Sequence, residues 1–292
     1  MRGHGRTTWR IASLVGLVII AAVAAAVLVN RDRPDENRAT GTPPPVVTTS
    51  ATPSPAPSAT CSAVTGGDRL AEAREALAKD PASFRLAVVG DSTRNGTRGS
   101  AGELYRTLHE LLAEVPAENI VDLGRNGETV RGYAAKDTSL QQIAEADPDV
   151  VEVSIGINDW RVDQGIGDEF TGWLRDLVEK IRAVAPDAAL ILSVPNALAA
   201  DDIGDRHIVI GTDGKANPPG AAEEITTALR SAYLSLADEW PNVVVSDNQT
   251  AIFGTKAASR SEATLMADQV HPNPDGNRRI AEQIAGILQG KC

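Results

Sequence analysis

The stretch Arg85-Leu86-Ala87-Val88-Val89-Gly90-Asp91-Ser92 sets the fold. Arg85 to Val89 is short and apolar after its first residue, the pattern of a strand buried on both faces. Gly90, Asp91 and Ser92 end it with residues that favour turns. From Ala101 to Val115, Leu104, Leu108, Leu111 and Leu112 fall on helical spacing. The same alternation continues outward. Strands are predicted over Asn119–Leu123, Val150–Ile155, Ala189–Val194 and Val243–Val245. Helices are predicted over Asp68–Lys79, Phe170–Val184, Ala221–Ala237 and Pro274–Leu288, the last with Pro at its start. Such repetition implies an α/β domain with a parallel sheet covered on both faces. Ligands of such sheets bind beyond the carboxyl ends of the strands.

Composition narrows the function classes. Aromatic residues are 3% of the 292, so the core must be built from Val, Ile, Leu and Ala. Net charge is −11 and uneven: residues 1–60 carry six Arg against three acids, +3, which leaves −14 for the rest. A body this acidic repels phosphate backbones, so no nucleic acid partner is expected. Cys61 and Cys292 are the only cysteines and no His/Cys cluster exists, so neither a metal nor another cofactor is expected.

Residues 1–10 contain Arg2, Arg6 and Arg10 and no acid, and an uncharged apolar run follows from Ile11 to Val29. Nineteen such residues are enough to span a bilayer. The charge bias makes 1–10 cytoplasmic, 11–29 a transmembrane signal-anchor and everything beyond extracytoplasmic. The alternative is a cleaved signal peptide and a secreted protein, since Ala22, Ala24 and Ala26 offer small-residue sites. Residues 30–60 form a linker; Thr40 to Thr60 alone holds six Pro and nine Ser or Thr. That composition cannot pack a core and favours an extended chain, up to roughly 65 Å long at ~3.1 Å per residue. Residues 61–292 are the folded domain. Cys61 and Cys292 bracket it in an oxidising compartment, so they are expected to form a disulfide.

Four short segments fall at the predicted sheet edge or just before the last helix. Ser92, after the first strand, is an exposed hydroxyl that needs a base to become a nucleophile. Asp268-Gln269-Val270-His271 places a carboxylate where it can fold back onto an imidazole and fix its tautomer. Asn158, in Gly156-Ile157-Asn158-Asp159, offers a neutral amide N–H to a developing oxyanion. Gly124, in Asp122-Leu123-Gly124-Arg125-Asn126-Gly127, lets a backbone N–H approach substrate. Trp160 beside Asn158, and Arg94 and Arg125 beside two of the blocks, are candidate substrate contacts.

This constellation resembles the SGNH hydrolases, a branch of the GDSL esterases and lipases. Ser92, Gly124, Asn158 and His271 match its four lettered residues, with Asp268 in the expected DxxH position. Asp122 stands where the family usually has Asn, and Thr93 where the GDSL pattern has Leu. The resemblance covers about residues 83–290. It implies a three-layer α/β/α sandwich with a five-stranded, flavodoxin-like parallel sheet. It also implies a metal-free Ser92–His271–Asp268 triad and an oxyanion hole formed by Ser92, Gly124 and Asn158. The expected activity is hydrolysis of carboxylic esters, short-chain or O-acetyl, on envelope carbohydrate or small acyl esters. The alternatives are an O-acyltransferase acting on envelope glycans and a non-catalytic glycan-binding domain.

Overall fold

The computed structural model describes residues 67–97, 99–159, 167–198, 221–240, 242–253, 265–268 and 270–291. The expected membrane segment 11–29, the linker 30–60, both cysteines and Trp160 lie outside the described residues. Among the described residues no helix is long and apolar enough to cross a membrane.

Five strands, β1 (Leu86–Gly90), β2 (Ile120–Gly124), β3 (Val150–Ser154), β4 (Ala189–Ser193) and β5 (Val243–Ser246), form one sheet in the order β2-β1-β3-β4-β5. Every neighbouring pair is parallel. Parallel strands need crossovers, and helices supply them. α1 (Asp68–Lys79) precedes β1, and α2 (Gly102–Leu111) joins β1 to β2. α3 (Val130–Ala134) and α4 (Asp137–Ala146) join β2 to β3, α5 (Asp168–Val184) joins β3 to β4, and α6 (Ala221–Glu239) joins β4 to β5. α7 (Pro274–Leu288) closes the fold.

Successive strand residues point to opposite faces, and two apolar layers result. Ala87, Val89, Val151, Val153, Leu190 and Leu192 pack against α3 to α6. Leu86, Val88, Val150, Ala189, Ile191 and Val244 pack against α1, α2 and α7. The expected three-layer, flavodoxin-like sandwich is thus the observed fold. Strand order reverses between β1 and β3, so the carboxyl ends of those two strands flank the switch point where ligands bind. Gly90 is in register with Gly124 on one side and Ser154 on the other, so this edge is lined by small residues.

α3 and α4 were absent from the expected elements. Their apolar positions Val130, Tyr133, Leu140 and Ile143 are interrupted by Gly132 and Lys136, which splits one helical period into two short pieces.

Candidate active site

The chain leaves β1 into a tight turn, Asp91 to Arg94, closed by Arg94 N–H donating to Asp91 O at 3.1 Å. Asp91 is buried, and its Oδ1 accepts from both Thr93 N and Thr93 Oγ1 at 2.9 Å. Burial pushes the Asp91 carboxyl above its ordinary range. Ser92 projects from this turn and keeps 7% of its surface exposed.

His271 comes from a narrow loop before α7. Met266 and Pro272 form an isolated antiparallel bridge, and Ala267 N–H donates to His271 O at 2.8 Å. Inside the loop Asp268 Oδ1 accepts from Val270 N and His271 N, each at 2.8 Å. The His271 ring then sits between two partners. Its Nδ1 lies 2.8 Å from Asp268 Oδ2, and its Nε2 lies 2.9 Å from Ser92 Oγ. A carboxylate can only accept, so Nδ1 carries the proton and Nε2 is left to accept from the serine hydroxyl. Burial pushes the Asp268 carboxyl upward, but the His271 ring and the N–H groups of Val270 and His271 together draw it down to about 2. Its folded pKa lies below the unfolded one. Its ionised partnership therefore supports the fold above about pH 4 and is lost only as pH falls towards 2.

Three side chains not anticipated from sequence fasten this loop. Asn196 Nδ2, just after β4, donates to Val270 O at 2.9 Å. Asn277 Nδ2, in α7, donates to Pro272 O at 3.0 Å, and Ser100 Oγ donates to the same carbonyl. The available signal was an Asn at two positions that are otherwise apolar, 196 after a strand and 277 on the buried face of a helix.

Asn158 follows β3 in a turn closed by Asp159 N–H on Gly156 O at 3.1 Å. Its Nδ2 donates one hydrogen to Glu128 O at 3.0 Å, which leaves the second for another acceptor. Beside it the carboxylate of Asp159 accepts from Val130 N, at 3.1 Å to each oxygen. Burial first, then the nearby charges of Asp91 and Glu128, push Asp159 up to about 7.

Two expected site residues need correction. Arg94 does not face substrate: it is 0% exposed, and Glu152 in β3 holds its Nη2 at 3.1 Å. Gly124 N–H is already accepted by Asp122 Oδ1 at 2.9 Å, so it is no free oxyanion donor. Gly124 is instead a close-approach residue. A Cβ there would lie 2.5 Å from Arg94 C and from Asn95 N. Gly127, three residues on, is exposed and its N–H makes no hydrogen bond among the described residues. It precedes Glu128, whose carbonyl anchors Asn158. Arg125 is half-buried; its Nη2 donates to Gln142 at 2.6 Å and its guanidinium lies 5.5 Å from the Tyr133 ring centre. Both partners belong to α3 and α4.

Residues 88–279 match the GDSL-like lipase/acylhydrolase family. The chain belongs to that family. As a GDSL-like acylhydrolase it is a carboxylic ester hydrolase. No curated protein sequence is matched. Among solved structures, a Lactobacillus plantarum protein is 21% identical with a TM-score of 0.55, over 72% of this chain and 98% of its own. A peptidoglycan O-acetylesterase is 12% identical with a TM-score of 0.58, over 78% of this chain and 98% of its own. At these identities the likeness is one of fold.

Proposed function

We propose that this acylhydrolase is a serine esterase working by two-step acyl transfer on short-chain or O-acetyl esters. The observation that carries the proposal is the continuous chain Ser92 Oγ, His271 Nε2, His271 Nδ1 and Asp268 Oδ2, with links of 2.9 and 2.8 Å. In the first step His271 takes the Ser92 proton as Oγ attacks the ester carbonyl. Asp268 holds the ring in the required tautomer and offsets the imidazolium charge. The tetrahedral oxyanion is received by Ser92 N–H and the unspent Asn158 amide hydrogen, with Gly124 N–H already engaged by Asp122. His271 then protonates the leaving alcohol, and water repeats the sequence to free the acid. A glycan-binding module has no use for this alignment, which argues against the non-catalytic reading.

The substrate reading rests on size. The open cleft between the Ser92 turn and the His271 loop offers about 150 Å³ beside Ser92 Oγ and is walled on that side by Ser100, Ala101, Ala267 and Pro272. That is below the roughly 300–1,000 Å³ of sites that enclose larger ligands. An acetyl group on an envelope carbohydrate suits it, in keeping with the O-acetylesterase that shares the fold. A membrane anchor at 11–29 followed by the 30–60 linker would let the domain reach such a layer.

The test uses 4-nitrophenyl acetate and a fluorophosphonate. Ser92→Ala should lose at least about a thousandfold in kcat/KM with its thermal unfolding unchanged. The wild type should gain one phosphonyl group on Ser92 by peptide mass mapping. Retained turnover in the alanine variant, or labelling elsewhere, removes the assignment.

A further inference from the structure

We propose that the buried Arg94–Glu152 ion pair is a positioning device that sets the height and direction of the Ser92 turn above the sheet. This rests on Ser92 being the nucleophile. Arg94 lies two residues beyond Ser92, where the turn meets the sheet edge. Glu152 is the middle residue of β3, the strand beside β1. Both side chains are 0% exposed. Arg94 Nε lies 3.2 and 3.3 Å from the two Glu152 oxygens, and Nη2 lies 3.1 Å from Oε1. A guanidinium fork on a carboxylate fixes direction as well as distance.

Stability alone does not explain the pair. Burying two charges costs about as much as their attraction returns, and apolar replacements of similar volume are often neutral or better. Arg94 Nη1 is also buried with no hydrogen-bond partner among the described residues, a cost that a purely stabilising contact would avoid.

The surroundings are shaped to hold Arg94 in one place. Its N–H donates to Asp91 O at 3.1 Å, and Tyr105 in α2 donates its hydroxyl to Arg94 O at 2.6 Å. Tyr105 Oη also reaches Asp122 Oδ1 at 2.9 Å, while Asp122 Oδ2 accepts Gly96 N at 2.8 Å. The turn is therefore tied to β2 as well as to β3. Two strands end in glycine to admit it. A Cβ on Gly90 would fall 2.5 Å from Arg94 Cγ and 2.4 Å from Ser154 O, and one on Gly124 would fall 2.6 Å from Arg94 O. Amide, carbonyl and side chain of Arg94 are thus each fixed, and Ser92 rides on the segment that they fix. Its Oγ must stay within hydrogen-bond reach of His271 Nε2, which comes from a separate loop. A displacement near 1 Å there can cost on the order of a hundredfold in rate.

The decisive variant removes both charges together, Arg94→Met with Glu152→Leu, so that neither is left buried alone. Thermal unfolding, kcat and KM on 4-nitrophenyl acetate, and the rate of fluorophosphonate labelling are measured. The expected result is a folded protein with KM within about threefold and kcat lowered roughly 30- to 100-fold, the range for a misplaced reacting group. Labelling should slow in parallel. The pH at which the acid limb of kcat/KM falls should not move, because the His271–Asp268 pair is untouched. A folded double variant with wild-type kcat overturns the proposal, whatever its melting temperature, and so does a moved acid limb. Should the double variant not fold, Glu152→Gln keeps the volume and one acceptor while removing the charge. It should lose about tenfold in kcat, and full activity in it overturns the proposal equally. Failure of the wild type to be labelled at Ser92 would instead remove the serine-esterase reading itself.

Discussion

At the scale of single residues the site is divided by how its carboxylates are solvated. Asp268 is about half exposed on its side chain, is paired with His271 and lies at about 2. Asp159 is buried, accepts only backbone N–H and lies at about 7. The two have opposite effects on stability. A carboxyl raised in the folded state keeps a proton that the unfolded chain has released. Its favourable contribution is full below about pH 4 and is lost as pH rises through about 7. Asp159→Asn retains an oxygen for Val130 N–H and carries no charge at any pH. The variant should therefore melt higher than wild type at pH 8, with a gain about 5 °C larger there than at pH 5, for a shift worth a few kcal/mol. Thermal scans of both proteins at the two pH values measure this directly. Equal differences at pH 5 and pH 8 would mean that Asp159 is ionised throughout.

At the scale of elements, the sheet and its edge were legible because their signals are local. Leu86–Gly90 is a short apolar run, Val150–Ser154 is Val-rich around a single Glu, and both have turn residues behind them. The bounds of Asp68–Lys79 and Pro274–Leu288 follow from apolar spacing and from Pro at a helix start. The residues of the proposed triad could be read for the same reason: each stands in a short motif at a strand end or before a helix. What could not be read depends on which polar atoms meet in space, across the fold or within one short loop. Arg94, two residues after Ser92, looks like a surface charge until Glu152 of β3 is found opposite it. Gly124 looks like an oxyanion donor until Asp122 is seen to occupy its N–H. Ser100 and Asn196 bind carbonyls of a loop remote in sequence, so no spacing reveals them, and Asn277 reaches back to the same loop from the first turns of α7. The start of α7 joins both kinds of signal. Asn273 caps it by accepting from Gly276 N at 3.0 Å, while Asn273 N–H holds Leu265 O at 2.9 Å across the His271 loop. Replacing an N-cap Asn by Ala costs about 1 kcal/mol, or roughly 2–4 °C for a domain of this size. Asn273→Ala should show that loss in a thermal scan together with a severalfold drop in kcat, since the same residue ends the histidine loop. Unchanged kcat with the lowered melting point would separate the cap from the site.

At the scale of the whole molecule, the core and the cleft are built from the same stock. With aromatics at 3% the two apolar layers are filled by Val, Ile, Leu and Ala, and little large apolar surface is left over. Leu111 is the one exposed large hydrophobic among the described residues, and it ends α2. The cleft follows suit: Gly99, Ser100, Ala101, Ala267 and Pro272 line it beside Ser92, Asp268 and His271. A long acyl chain gains affinity only by burying methylenes, each worth about 0.8 kcal/mol, or close to fourfold in kcat/KM, where apolar surface receives it. Six further methylenes, from acetate to octanoate, would then raise kcat/KM by more than a thousandfold in a lipase groove. A cleft of about 150 Å³ has no room to collect that gain. The expected order for esters of one alcohol is acetate above butyrate above octanoate, with kcat/KM falling by about tenfold or more across the series as chain atoms are turned out into water. The fall should lie mainly in kcat, because an acyl group that does not seat leaves its carbonyl displaced from Ser92 and the oxyanion donors. A steady rise from acetate through octanoate would show an apolar groove beyond the described walls and would end the short-ester reading, while leaving the triad as it stands.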